Sequence, residues 1–170
     1  MIASDVGLVE GYQRWRAWAD GHVCCDYGLH VGVTRWQDGV TDREIEALTK
    51  QHGVNSFKCF MAYKGTLMLS DSNIIKLFDV CKRNGALPMV HAENGEIIDT
   101  LSRKMLKLGV TGPEGHLQSR PEEVEAEATH RAITIADQTS APVYIVHVMS
   151  KSAADEVARA RAKGGIFLIN

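Results

Sequence analysis

Lys58, His91 and His147 each stand within or at the carboxyl end of a short apolar run: SFKCF, LPMVH and VYIVH. Imidazole nitrogens are zinc ligands, and two of them with a third group can hold a divalent ion. A lysine among Phe57, Cys59 and Phe60 must snorkel, pair with an acid or be chemically altered, because an isolated buried ammonium is costly. Taken singly, a histidine that ends an apolar strand is more often a core or capping residue. It is the lysine that turns the set towards a metal-assisted site, because all three runs lead into a polar or glycine-bearing loop and then a helical stretch.

The elements that must position them follow a strand and helix alternation. Residues 8–19 have amphipathic helical spacing, and strands are expected near 24–32, 56–60, 87–91, 142–147 and 165–169. Between them, TDREIEALTKQHG has Thr41 as an N-cap and Gly53 as a stop, and SNIIKLFDVCKRN is capped by Ser70 or Asp71 and stopped by Gly85. GEIIDTLSRKMLKLG is a third helix, and PEEVEAEATHRAITIADQTS a fourth with Pro121 in its first helical position. SKSAADEVARARAKGG, capped by Ser150 or Ser152, is a fifth, and VTGPEGHLQSRP reads as a long loop fit for a lid or subunit contact. Parallel strands joined by helical crossovers bring their carboxyl ends to one face, so the expected fold is α/β: part of a TIM-like (β/α)8 barrel with outer helices. A doubly wound sheet is the rival, but no strand is followed by GxGxxG or GxxxxGK[ST].

Composition narrows the functional classes. The 170 residues carry a formal net charge of -2 with the basic residues scattered, which gives no nucleic-acid footprint. No stretch approaches the roughly 20 apolar residues of a membrane span, so a cytoplasmic protein is expected. Cys24, Cys25, Cys59 and Cys81 contain no CxxC pair and read as reduced, small buried hydrophobes.

Four ordered blocks, NSFKCFMAYKG, VHAENG, TGPEGH with RPEEVEAEA, and YIVHVMSKSAA, closely resemble the dihydropyrimidinases, in the cyclic amidohydrolase family of hydantoinases, allantoinase and dihydroorotase. The resemblance covers nearly the whole chain. It implies a TIM-like barrel beside a small β-rich domain and hydrolysis of 5,6-dihydrouracil or dihydrothymine to the N-carbamoyl-β-amino acid, as in pyrimidine catabolism. It also implies two zinc ions bridged by carboxylated Lys58 (N6-carboxylysine), with His91 and His147 as ligands of one and Tyr63 as the catalytic donor to the developing oxyanion. A small cyclic amide or ureide is the implied substrate, a homo-tetramer the implied assembly, and neither nucleic acid nor membrane a partner.

Two parts of the family pattern have no counterpart: no His-x-His pair occurs, and the late aspartate that serves as ligand and proton shuttle is not matched. The expectation is therefore an internal fragment, residues 1–170 of a barrel domain without its early and last strands or the small β-rich domain. Such a chain holds at most one well-liganded zinc and is inactive by itself. Glu93 and Asn94 fit a turn better than a role behind His91, and His116 and Arg120 fit a contact with a partner subunit. His22, His30, His52 and His130 have no ligand partner at suggestive spacing, and the EVEAEA run reads as a solvated helical face. Two other functions compete: a hydantoinase or allantoinase type of hydrolase, and a non-enzymatic dihydropyrimidinase-related cytoskeletal adaptor, against which Lys58, His91 and His147 argue.

Overall fold

The computed structural model describes residues 6–164 and 167–170. In chain order the elements are α1 (Leu8–Asp20), β1 (Val31–Gly32), α2 (Thr41–His52), β2 (Ser56–Phe60), α3 (Asp71–Asn84) and β3 (Leu87–His91). They continue as α4 (Gly95–Lys107), α5 (Glu114–Ser119), α6 (Glu122–Thr139), β4 (Val143–Ile145), α7 (Lys151–Ala162) and β5 (Phe167–Ile169). All five strands are parallel and lie in sequential order. The α/β expectation with outer helices therefore holds at the level of a five-stranded parallel sheet.

Helix ends follow local chemistry. Gly53 and Gly85 close α2 and α3 in the left-handed region, at φ 68° and 67°, which costs little without a Cβ. Ser70 caps α3 by accepting from Asn73 N–H, and Ser150 caps α7 by accepting from Ala153 N–H. Three expectations shift by a residue or more. Val40, not Thr41, is the N-cap of α2, because the Thr41 hydroxyl turns back to accept from Gln37 N–H. Pro121 is the N-cap of α6 rather than its first helical residue. The 110–121 segment is not all loop, since Glu114–Ser119 winds into α5 and packs beside α4.

The strand expected over 24–32 shrinks to Val31–Gly32. Among the described residues this edge element pairs with β2 alone, and Cys24 and Cys25 before it are exposed rather than buried. The strand expected over 142–147 ends at Ile145, and of the one expected over 165–169, residues 165 and 166 lie outside the described residues.

Alternation along the strands sorts side chains to two faces. Phe57, Cys59, Val90, Val143 and Ile145 join the main core with Ile45 and Leu48 of α2, Ile74, Leu77 and Phe78 of α3, and Ala128 and Ala132 of α6. Burial pushes the Cys59 thiol up to about 12, so it behaves as a small hydrophobe. The register places Gly32, Lys58, Met89, Tyr144 and Leu168 side by side across the opposite face, with Phe60 beside His91 one step nearer the strand ends. Lys58 and His91 thus share the face away from the helices, as the strand pattern predicts.

Candidate metal centre

Burial dominates the chemistry of Lys58. It is half-buried between Gly32 and Met89, neither of which offers a charge, and the space beside Gly32 is open where a Cβ would stand. Its ammonium lies 5.2 Å from the centroid of the Phe60 ring. Burial lowers its pKa from 10.5 to about 8, and no carboxylate restores it. Among the described residues it is the lysine best prepared to lose its proton near neutral pH.

His91 ends β3 on the same face and is 8% exposed. Its Nε2 lies 2.6 Å from Glu93 Oε2, and its Nδ1 lies 3.0 Å from His147 Nε2. Burial raises the Glu93 carboxyl, but hydrogen bonds and charge from His91 and Arg120 outweigh it and hold the pKa near 2. An ionised carboxylate only accepts, so His91 carries its proton on Nε2 and presents the Nδ1 lone pair to His147. Two nitrogens bound to one tetrahedral zinc at about 2.0–2.1 Å stand about 3.3 Å apart, so the observed 3.0 Å suits a shared cation as well as a hydrogen bond.

His147 reaches this position by breaking the alternation. Since Met89 pairs with Tyr144, a regular continuation of β4 would place residue 146 on the His91 face and residue 147 on the other. His147 instead adopts φ 42°, turning its ring to meet His91 with centroids 4.7 Å apart. That conformation is uncommon for a residue with a Cβ and is held by neighbours: the His147 N–H donates to Asn170 Oδ1 at 2.7 Å, and Met149 and Ser150 N–H donate to Glu125 at 2.9 and 2.7 Å. Burial lowers the His147 pKa, and the charges of His91 and Lys58 add to the effect. Neutral imidazole, the form that binds metal, is favoured.

Tyr63 is the second residue of this site with a left-handed backbone, at φ 64°. Its ring lies 5.0 Å from that of His91 and 5.7 Å from that of Phe60, and Tyr63 is 40% exposed, so its hydroxyl can meet a ligand at the rim. The loop that carries it is pressed against the start of α4. Gly95 N–H donates to Met61 O at 3.0 Å, and a Cβ on Gly95 would come within 2.9 Å of that oxygen.

Among the described residues no three His, Cys, Asp or Glu side chains converge as a cation site. Asn94 caps α4 as a turn residue should, but Glu93 is more than a turn former: it bonds His91 on one side and Arg120 Nη1, at 2.5 Å, on the other. Arg120 thus contacts this site from within the chain. Sequence spacing hides that pair because α5 lies between its members, although an Arg directly before a helix-starting Pro is a fixed point that could have drawn attention. The EVEAEA run is not wholly solvated, since Glu125 holds the loop after β4. His30 Nδ1 meets Ser56 Oγ at 2.5 Å, and His130 pairs with Glu156 at 3.1 Å, both away from the cluster. A cavity of about 750 Å³, lined by Tyr12, Trp15, Leu29, Val31, Phe60 and Tyr63 among others, touches the site through its aromatic residues but is not lined by Lys58, His91 or His147.

No family model matches the chain. It is 54% identical over 157 residues to a dihydropyrimidinase of Dictyostelium discoideum, which covers 92% of this chain and 31% of that protein. It is 51% identical over 164 residues to dihydropyrimidinase-related protein 5 of Mus musculus, covering 96% of this chain and 29% of that protein. The structure of a D-hydantoinase superposes with a TM-score of 0.94 at 41% identity, over 99% of this chain and 36% of that one. The chain spans about a third of the length of the curated relatives it matches. Among the described residues no helix is long and apolar enough to cross a membrane.

Proposed function

We propose, from the premise that this chain is homologous over nearly all its length to a segment of the dihydropyrimidinases and hydantoinases, that it forms the part of a cyclic amidohydrolase barrel carrying a zinc position. The observation that carries the reading is the 3.0 Å approach of His91 Nδ1 to His147 Nε2, with Glu93 fixing the proton on the far nitrogen. Sequential parallel order with helices over one face supports closure as a barrel, since a doubly wound sheet reverses its strand order.

His91, His147 and Lys58 are the residues that would hold zinc. The neutral Lys58 amine attacks carbon dioxide, forms the N–C bond and releases one proton, giving a carbamate whose two oxygens are anionic ligands. The open space beside Gly32 leaves room for the added group. Bound zinc supplies a Lewis acid that polarises an amide carbonyl and lowers the pKa of water. Tyr63 donates its hydroxyl proton in a hydrogen bond to the carbonyl oxygen as negative charge develops there.

The substrate is a cyclic ureide, 5,6-dihydrouracil or dihydrothymine, opened to the N-carbamoyl-β-amino acid. Identity alone does not separate a hydrolase from an adaptor, since a dihydropyrimidinase-related protein is 51% identical. The Lys58, His91 and His147 cluster favours the hydrolase. The test is to express the complete reading frame with zinc and bicarbonate and assay ring opening of dihydrouracil and hydantoin. Turnover that Lys58→Ala abolishes together with bound zinc supports the reading; turnover and zinc content unaffected by that change would refute it.

A further inference from the structure

The hydrogen-bond geometry points to Arg120 and Glu93 as a positioning pair that sets the tautomer and aim of His91, an inference that rests on the metal-site reading above. One oxygen carries both contacts: Glu93 Oε2 accepts from His91 Nε2 at 2.6 Å and from Arg120 Nη1 at 2.5 Å. Only Ala92 separates Glu93 from His91, and both Ala92 and Glu93 lie in loop, so the carboxylate alone has rotamer freedom to turn to solvent. The guanidinium restricts that freedom through one charge-assisted hydrogen bond, from Arg120 Nη1 to the oxygen that also faces His91.

Arg120 is itself well placed to act as an anchor. It follows buried Ser119, whose hydroxyl donates to His116 O at 3.0 Å, and precedes Pro121, whose ring fixes the backbone entering α6. The Arg120 Cζ also lies 5.9 Å from the centroid of the Tyr63 ring. One cation from the 110–121 segment thus braces two site residues on different loops: His91 through Glu93, and Tyr63 directly. The segment is connected to the site by this residue, which gives it a function inside the chain.

The consequence is visible without zinc. In the wild-type chain His91 should populate a single neutral tautomer with the proton on Nε2, whereas Arg120→Ala should release Glu93 and mix the two tautomers. Nitrogen-15 spectra of histidine-labelled, metal-free chain report this directly, and titration with cobalt(II) alone reports aim. We expect Arg120→Ala to weaken cobalt binding about 10–100-fold with helical content unchanged, and Arg120→Lys to recover part of that loss. Glu93→Gln is the second variant, with its side-chain size preserved and its charge removed, and should resemble Arg120→Ala. A single Nε2–H tautomer with wild-type cobalt affinity in both variants overturns the inference. If wild-type chain shows the ordered tautomer and the variants lose it, but none binds cobalt, the positioning pair stands and the metal-site reading falls.

Discussion

An amine that titrates near 8 keeps a neutral fraction at pH 7 roughly 300-fold larger than that of an ordinary lysine, and this fraction is what can attack carbon dioxide. The same burial has a stability cost. Unfolded chain holds the Lys58 proton up to about 10.5 and folded chain releases it near 8, so between these values the folded state binds fewer protons and stability rises with pH. Below pH 8 the penalty is fully present. Lys58→Met keeps the packed stem without the charge, and should raise metal-free stability at pH 7 by about 1–2 kcal/mol after allowance for solvent screening. Urea unfolding at pH 7 and pH 10 checks both points, because the variant should lose Lys58's share of the pH slope and should no longer incorporate labelled bicarbonate. Tyr63→Phe makes the complementary separation. In the full-length enzyme it should retain zinc while turnover falls about 10²–10³-fold, as measured by metal analysis beside the ring-opening assay. Lys58, His91 and His147 were legible because each type is costly or unusual at the end of an apolar run. Their supports were not: Glu93 looks like a turn former until its oxygen is seen between an imidazole and a guanidinium, and the left-handed turn at His147 contradicts simple alternation.

Most helices and the three interior strand cores were legible as elements, since apolar periodicity, Ser caps and Gly stops act within a few residues of chain. Errors fell where a neighbour decides the outcome. Residues 24–30 have strand-like residues but no ladder partner, and α5 forms where α4 offers a surface to a breaker-rich segment. The loops that carry Tyr63 and His147 are set by the same kind of long-range contact. Gly95 permits the start of α4 to lie against Met61 and Ala62, with Met68 also in contact range of any added Cβ. Gly95→Ala should therefore displace the Tyr63 loop and cost about 1–3 kcal/mol, with loss of the ring contact to His91. A lowered melting temperature together with a changed Tyr63 to His91 nuclear Overhauser effect would bear this out. Glu125 plays the corresponding part for His147 by accepting two backbone N–H groups from the loop after β4. Glu125→Ala should loosen that loop at a cost of about 1–3 kcal/mol and weaken zinc affinity measured by calorimetry, while α6 itself persists.

At the scale of the whole molecule, the sheet has two edges among the described residues and a face away from the helices that is partly exposed. Among the described residues β1 pairs only with β2 and β5 only with β4, which leaves strand backbone available at both ends. Leu168 is 46% exposed on the face away from the helices, and Trp15 and Trp18 are 41% and 59% exposed on α1. Unpaired edges and apolar exposure on this scale favour association, so the 170-residue chain alone should form dimers or larger species that dissociate on dilution. Catalysis is a separate matter. The sequence contains no His-x-His pair, and among the described residues no three His, Cys, Asp or Glu side chains form a group that could hold a cation. Self-association conceals edges but supplies no new residue type, so it should not restore turnover. We therefore expect this chain, given zinc and bicarbonate, to bind at most one zinc per chain through His91, His147 and carboxylated Lys58, and to open dihydrouracil no faster than buffer. Light scattering across a dilution series, metal analysis and the ring-opening assay on the same preparation separate these outcomes. Turnover above buffer from monomeric chain would mean that one zinc position suffices, and would overturn the requirement for a second.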